Sequence, residues 1–216
     1  MRTWVTAPIT LWLALVTGAR ATGECVVDQE FDPRGITVVS FIKFDMDKAQ
    51  TFTVGLSGQL AEVEVFIARD FLPQGVDLVF DVRETHDGVP IEDDSHSLAQ
   101  VVIPDTDVPT SWDFFQIDLM PFNVLVEARD VLAIVLREQG GNPDTEFWWF
   151  GKQVDLYAAG GPFFRWPTEG YNTWTPLTSP VFDHGFKTTV CPIVVAIEAE
   201  SWSHQGSVSV MLRSVR

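Results

Sequence analysis

Apolar and polar residues alternate with a period of two along much of this chain. Between residues 60 and 69, Val63 and Val65 alternate with Glu62 and Glu64. Such a pattern is typical of a β-strand that buries one of its two faces. The pattern, together with the turn residues at its breaks, predicts strands over residues 37–44, 49–54, 60–69, 76–83, 98–103, 112–119, 124–128, 130–137, 147–151, 161–166 and 183–190.

Helical periodicity is missing from the sequence, since nowhere do apolar residues recur at helical spacing for three turns with caps. The predicted strands follow one another at intervals of roughly 8–15 residues, with Gly, Pro and Asp between them. We therefore predict an all-β fold, an antiparallel β-sandwich of the jelly-roll type, in one domain. Residues 25–35 are interpreted as a polar lead-in, and residues 192–216 as a C-terminal extension that could add one or two edge strands.

The first 21 residues have the pattern of a secretory signal peptide. Arg2 is the basic start, residues 7–16 are an apolar core, and Ala19 and Ala21 match the small-x-small pattern that precedes cleavage. An apolar core of about ten residues is too short to span a bilayer. We expect a secreted protein with a signal peptide at 1–21, a β-sandwich domain at 22–191 and the extension at 192–216.

The chain has two cysteines, Cys25 and Cys191. One follows the expected cleavage site and the other follows the last strand of the main body. In an oxidising compartment, a disulfide between them would join the two ends of the domain. Two free thiols are the alternative. No CxxC or HxxxH spacing accompanies the cysteines, and no metal site is predicted at them.

The charge balance bears on the expected partners. Of 216 residues, 30 are Asp or Glu and 14 are Lys or Arg, which gives a net charge of -16. Such a surface repels a phosphate backbone and no Lys/Arg cluster offsets the repulsion, so nucleic acid is not an expected partner. Acidic residues at 45–47, 92–94 and 105–107 offer the oxygen ligands that calcium prefers, but none has the EF-hand spacing. We interpret them as solvated loop acids and predict no cofactor.

Aromatic residues are concentrated between residues 147 and 174, a stretch that includes four of the eight tryptophans. Trp148 and Trp149 are neighbours on a predicted strand, so their side chains must point to opposite faces of the sheet. Trp and Tyr combine a flat apolar face, which suits the C–H face of a sugar, with a polar tip. As ligand-binding residues we predict Trp149, Trp166, Tyr171 and Trp174. The alternative is that the loop of residues 157–174 covers these aromatics and that they belong to the core.

No arrangement of residues typical of an active site appears in the sequence. The chain lacks the Gly-x-Ser-x-Gly elbow, and its glycine-rich stretches lack the lysine of a phosphate-binding loop. A glycosidase needs two carboxylates across a cleft, and an acidic chain offers such pairs by chance. The histidines are expected at the surface and stand at no ligand spacing: His86, His96, His184 and His204. We predict that the protein is not an enzyme.

Several short motifs follow one another in a set order: QTFTV at 50–54, SGQL at 57–60, VDL at 76–78, VLAIVL at 131–136, FWW at 147–149, YAAGG at 157–161, Trp174 and GFKTTV at 185–190. This order resembles a group of secreted bacterial β-sandwich domains in surface-sorted proteins of the choice-of-anchor and PEP-CTERM type. The resemblance covers roughly residues 36–190. It implies a jelly-roll domain similar to carbohydrate-binding modules, exported to the cell surface or the exopolysaccharide, with no established catalytic residues.

The C-terminal part departs from that group. Residues 192–216 contain no Leu-Pro-x-Thr-Gly motif and are too polar for a membrane helix, with Glu198 and Glu200 among them. We therefore expect a soluble secreted protein without a membrane span in the mature chain. Its expected function is non-catalytic, that of a surface or matrix protein that binds polysaccharide through exposed aromatics. The alternative is a structural or adhesive domain whose partner is a surface protein.

Overall fold

The chain is described by a computed structural model in which Thr22 to Ile193 form one compact unit. A second unit includes residues from Val194 onwards. Apart from Ala21, the predicted signal peptide at 1–21 lies outside the described residues. These are residues 21–35, 38–70, 75–140, 145–153, 157–167, 170–178, 182–194, 197–204 and 207–214.

Strands make up nearly all of the regular structure, and the described residues include three short 3-10 turns and no α-helix. The turns are Asp94–His96, Asp105–Asp107 and Met120–Phe122. The strands are β1 Ala21–Thr22, β2 Val26–Phe31, β3 Val38–Ile42, β4 Asp47–Thr53, β5 Gly58–Arg69, β6 Asp77–His86, β7 Val89–Pro90, β8 Ser97–Ile103, β9 Asp113–Asp118, β10 Leu125–Val126, β11 Val131–Gln139, β12 Phe147–Lys152, β13 Pro162–Trp166, β14 Tyr171–Pro176, β15 Asp183–His184, β16 Phe186–Cys191, β17 Ile193–Val194, β18 Ile197–His204 and β19 Ser207–Ser214.

Two antiparallel sheets pack face to face in the larger unit. Sheet A has the strand order β15-β12-β5-β16-β2, with β3 on the edge of β12 and with β9 and β10 on β5. Sheet B has the order β14-β13-β4-β11-β6-β7, with β8 on β6. Their inner faces share one large apolar cluster. This architecture confirms the predicted all-β antiparallel sandwich.

The alternating pattern of β5 explains which face it buries. Val63, Val65 and Ile67 are completely buried in the core between the sheets, while Glu62 and Glu64 lie on the outer face. Full burial of one such aliphatic side chain stabilises the fold by about 1.5–3 kcal/mol. The period-two prediction for this strand is therefore confirmed.

Two strands of more than two residues, β2 and β14, are missing from the sequence prediction. β2 was interpreted as part of a polar lead-in, and this interpretation is wrong because β2 pairs with β16 along its length. Its sequence, VVDQEF, shows no alternation of apolar and polar residues, and the side chains of Val26 and Val27 are both exposed. β14 was missed for a similar reason, since Trp174 is its single buried residue.

A disulfide joins Cys25 to Cys191, as predicted. Beside it, the backbone N–H of Gly23 donates to the carbonyl oxygen of Pro192 at 2.9 Å. The bridge closes a loop with a sequence separation of 166 residues. In the chain-entropy model, a loop of this length corresponds to a stabilisation of about 4–5 kcal/mol.

The predicted C-terminal extension contains a hairpin of its own. β18 and β19 pair antiparallel from Ile197 opposite Ser214 to His204 opposite Ser207. They form a two-stranded sheet with each other.

The glycine-rich loop of the YAAGG motif is hydrogen-bonded to β4. Gly161 N–H donates to Thr51 Oγ1 at 2.9 Å, and Thr51 N–H donates back to the Gly161 carbonyl oxygen at 2.9 Å. A Cβ at Gly160 would overlap the carbonyl oxygen of Thr51, so this approach requires glycine. The Tyr157 hydroxyl donates to Gln29 Oε1 at 2.9 Å, and burial raises the pKa of Tyr157 to about 12. The loop thus ties sheet B to β2 of sheet A.

Candidate functional site

Trp149, the first predicted ligand-binding residue, is completely buried in the core. Its indole Nε1 donates to the Gly185 carbonyl oxygen at 3.0 Å, and its ring stacks on His184 with a centroid distance of 4.3 Å. The alternation along β12 turns Phe147 and Trp149 inwards and leaves Trp148 on the outer face. The argument that the two neighbours must diverge is confirmed, but the choice of Trp149 as the exposed one is wrong.

Trp174 is also buried, on the outer side of sheet B. The guanidinium of Arg165 lies over its ring at 4.6 Å, and Arg165 Nε is held by Asp47 Oδ2 at 2.8 Å. This ion pair covers the aromatic face that a sugar would need. The prediction that Trp174 is an exposed stacking residue is therefore wrong.

Trp166 and Tyr171 face each other across the β13–β14 hairpin. Tyr171 is 65% exposed, while Trp166 is half-buried and meets Phe164 edge-on at 4.5 Å. The four predicted site residues thus occupy three different places and do not form one surface. Ligand binding by the Trp166–Tyr171 pair stays a prediction.

His184 was expected at the surface, and this expectation is wrong because its side chain is completely buried. It lies between Trp149 and Phe182, whose ring centroid is 5.0 Å away. Neither ring nitrogen has a hydrogen-bond partner among the described residues. Burial, and next the charge of Lys48, lower the pKa of His184 well below its usual value, so the imidazole is neutral in the folded protein at pH 7.

A different set of aromatics forms a groove on the outer face of sheet A. The cavity has a volume of about 380 Å³. We call it the aromatic groove, and it is lined by Val39, Phe41, Ala68, Thr110, Trp112, Trp148 and Phe150.

Strand register explains the floor of the aromatic groove. On β12, Trp148 lies opposite Phe41 of β3 on one side and opposite Ala68 of β5 on the other. The outward side chains of three neighbouring strands therefore form one row across the sheet. The small side chain of Ala68 leaves the space between the larger rings.

Trp112 forms a wall of the aromatic groove and is 59% exposed. Its ring lies 4.8 Å from that of Phe150, tilted by 31°. The segment that leads to Trp112 is fixed to β5, because Arg69 Nε donates to the Val108 carbonyl oxygen at 3.1 Å and Arg69 N–H donates to that of Pro109 at 2.9 Å. A buried arginine thus holds the loop that presents the most exposed ring of the groove.

Polar groups meet the groove at the Phe41 end. Trp148 Nε1 donates to Glu146 Oε1 at 2.9 Å, which fixes the orientation of the indole ring. Lys43 Nζ pairs with Glu146 Oε2 at 3.1 Å and also lies 5.3 Å from the centre of the Phe41 ring. A carboxylate and an ammonium group, both held in place, therefore stand beside two of the aromatic rings.

The aromatic surface continues behind the groove along β5 and β9. Phe66 contacts Phe150 and Phe114, with centroid distances of 6.1 and 5.0 Å. Lys187 Nζ lies 4.1 Å from the centre of the Phe114 ring, a cation–π geometry that covers this end. The open part of the surface is consequently the groove itself.

The side chains that line the groove offer aromatic and aliphatic contact surface and one hydroxyl group, that of Thr110. None of the described residues that line it carries a carboxylate, thiol, imidazole or amine. Elsewhere, no group of three or more His, Cys, Asp or Glu side chains that could hold a metal ion occurs in the described part of the chain. Within the same residues, no helix is long and apolar enough to cross a membrane.

Comparison with known proteins adds no assignment, since no family model and no curated protein matches this chain. The resemblance to choice-of-anchor and PEP-CTERM-type domains stays a prediction from the motifs.

Proposed function

We propose that the protein is a secreted, non-catalytic binding module whose aromatic groove binds carbohydrate. Sugar rings stack on Trp112 and Trp148, and their hydroxyl groups form hydrogen bonds with the Glu146–Lys43 pair. The observation that carries the proposal is the convergence of two tryptophans and two phenylalanines on one open groove of sheet A.

Exposure of large rings is the first argument for a ligand. Trp112 and Phe41 are 59% and 42% exposed, although both belong to a chain with a large apolar core. Contiguous exposed apolar surface usually marks a binding site. Sugars suit it because their C–H faces pack on aromatic planes while their hydroxyl groups need polar partners at the rim.

The disulfide supports the secreted location in this proposal. Disulfides persist in oxidising compartments, and both cysteines of the chain are used in the bridge. The negative net charge of -16 further favours a neutral or cationic ligand over an anionic polymer.

Docking of another protein is a second candidate function, and β3 favours it. In the described part of sheet A, β3 pairs with β12 alone, so its other edge presents unpaired backbone groups next to the aromatic groove. An extended peptide can add to such an edge and place alternate side chains in a neighbouring pocket. The exposed side chains of Val39 and Phe41 would contact such a peptide.

The test is a titration of the protein with a panel of neutral polysaccharides by isothermal calorimetry. Trp112→Ala is expected to weaken binding of the recognised glycan about 5- to 150-fold, if a sugar ring gains from stacking on one aromatic ring what a nucleic-acid base does, on the order of 1–3 kcal/mol. Tyr171→Ala is the matched control, because it removes an exposed ring from sheet B, and it should bind as the wild type does.

Two results would contradict the proposal. Loss of binding in Tyr171→Ala but not in Trp112→Ala would move the site to the β13–β14 hairpin. Binding of no glycan in the panel would favour the protein-docking candidate.

A further inference from the structure

A second cavity lies on the other side of β3, at the open edge between the sheets. It has a volume of about 480 Å³, within the range of roughly 300–1,000 Å³ that is typical of small-molecule sites. Apolar side chains dominate its lining, among them Val38, Met46, Leu177 and Phe182. One charged side chain, Lys48 of β4, is part of the same lining. We call this cavity the Lys48 pocket.

The position of Lys48 on β4 turns its side chain into the sandwich. Across the sheet it lies opposite Leu136 of β11, whose side chain is completely buried, and opposite Phe164 of β13. Lys48 is only 6% exposed. Its amine lies 5.3 Å from the centre of the Phe164 ring.

Lys48 differs from the other buried cations of the described chain in having no oxygen partner. Arg83 pairs with Asp81, Arg165 pairs with Asp47, and Arg69 donates to the carbonyl oxygens of Val108 and Asp70. No carboxylate or carbonyl oxygen among the described residues accepts a hydrogen bond from Lys48 Nζ.

An unpaired buried ammonium group is unfavourable because burial removes its hydration. The same burial lowers the pKa of Lys48 to about 8. At pH 7 the amine is nevertheless mainly protonated, so an anion that enters the pocket gains a partner that no other group competes for.

We propose that the Lys48 pocket binds a small amphiphilic carboxylate, whose carboxylate pairs with Lys48 Nζ and whose apolar body contacts Met46, Leu177 and Phe182. The Lys48 pocket shares Val39 and Phe41 with the aromatic groove, but its remaining lining residues differ from those of the groove. A carboxylate bound at Lys48 goes beyond the proposed binding of carbohydrate. A single amine matches the single charge of a carboxylate. A phosphate group would need several donors, and none of the other described lining side chains carries a positive charge.

The experiment uses decanoate as the probe and decanol as its neutral counterpart of equal chain length. Calorimetry with the wild type should show saturable binding of decanoate, and decanol should bind more weakly. Lys48→Met keeps the approximate length of the side chain and removes the charge. Decanoate should bind to this variant at least about tenfold more weakly, because one charge-assisted hydrogen bond is lost. Lys187→Met removes a lysine from the outer face of sheet A and should leave decanoate binding unchanged.

A measurement on the wild type alone covers the case in which Lys48→Met does not fold. Decanoate should raise the melting temperature of the wild type, and decanol at the same concentration should raise it less. The proposal is overturned if the folded wild type binds no decanoate, if decanol matches decanoate, or if Lys48→Met binds decanoate as tightly as the wild type.

Discussion

At the scale of single residues, Trp149 and Trp112 show that a tryptophan's role is set by its surroundings. Trp149 stacks on His184 and donates to the Gly185 carbonyl oxygen inside the core, whereas Trp112 contacts Phe150 with one face and leaves most of its ring in solvent. The two side chains therefore make separable contributions to stability and to binding.

Replacement of each tryptophan by alanine should separate these contributions. Trp149→Ala is expected to lower the free energy of unfolding by about 3–5 kcal/mol, because it leaves a large cavity in the core. Trp112→Ala should lower it by less than about 1 kcal/mol, as expected for an exposed side chain. Urea denaturation followed by circular dichroism measures both. Equal losses in the two variants would contradict the assigned positions.

His184 should make the stability of the protein fall in mild acid. The folded state keeps its imidazole neutral, whereas the unfolded chain binds a proton below about pH 6.5. Since the unfolded state then binds more protons, the contribution of His184 to the free energy of unfolding decreases as the pH falls through this value.

The variant His184→Phe should lose this pH dependence. Its free energy of unfolding between pH 7 and pH 5 is expected to fall less steeply than that of the wild type, measured by urea titration at each pH. His86→Gln changes a solvent-exposed histidine and is the matched control. An unchanged slope in His184→Phe would show that another group causes the acid sensitivity.

Lys48 gives a second prediction about charge and stability: removal of its buried amine should stabilise the protein. Because burial lowers its pKa from 10.5 to about 8, holding the charge in the fold is unfavourable by on the order of 3 kcal/mol at neutral pH. Lys48→Met should therefore raise the melting temperature at pH 7 in the absence of any ligand. The same substitution should have less effect at pH 10, where the amine of the folded protein is already neutral. A lower melting temperature at pH 7 would mean that the amine has a stabilising role.

At the scale of elements, the attachment of the YAAGG loop to β4 depends on a close approach between the backbones of Gly160 and Thr51. A Cβ at Gly160 would overlap the Thr51 carbonyl oxygen, while a Cβ at the next residue, Gly161, would meet nothing within 4 Å. Gly160→Ala is expected to lower the free energy of unfolding by about 1–3 kcal/mol through this overlap. Gly161→Ala should change it little. Thermal denaturation of the pair checks the prediction, and similar melting temperatures would contradict it.

Much of the fold could be predicted from sequence because inner strands either alternate, as β5 does, or form a continuous apolar run, as β11 does. In β5, the alternation of inward valines and outward glutamates predicts both the strand and the face that it buries. In β12 both faces carry aromatics, so the sequence predicts a strand but does not give its orientation. The prediction that Trp149 is exposed is therefore wrong, and Trp148 lies on the outer face. β2 and β14 are missing from the sequence prediction because they are edge strands and bury few side chains.

The candidate site could be predicted less well, because it is assembled from segments that are distant in the sequence. Phe41, Trp112 and Trp148 lie on three different segments, and only the pairing of β3 and β5 with β12 brings them together. Local density of aromatics pointed instead to residues 166–174. Two better signals were available in the sequence. Phe41 occupies an outward-facing position in the alternating pattern of its strand, and Trp112 directly follows a turn.

At the scale of the whole molecule, the Cys25–Cys191 bridge joins the beginning and the end of the sandwich. The double variant Cys25→Ser, Cys191→Ser is expected to lose about 4–5 kcal/mol of unfolding free energy, on the chain-entropy model for so long a loop. Guanidinium denaturation of the variant measures the loss, and the wild type in reducing agent serves as a second measurement. A loss below about 1 kcal/mol would show that strand pairing alone determines the stability of this end.

The central claim, that the aromatic groove is the binding surface, is tested most directly by nuclear magnetic resonance of the tryptophan indole N–H groups. A glycan that binds in the calorimetric panel is added to protein labelled with ¹⁵N. The account predicts that the indole signals of Trp112 and Trp148 shift with saturation, while those of the buried Trp149 and Trp174 stay in place. Shifts confined to Trp166, with none at Trp112 or Trp148, would contradict it.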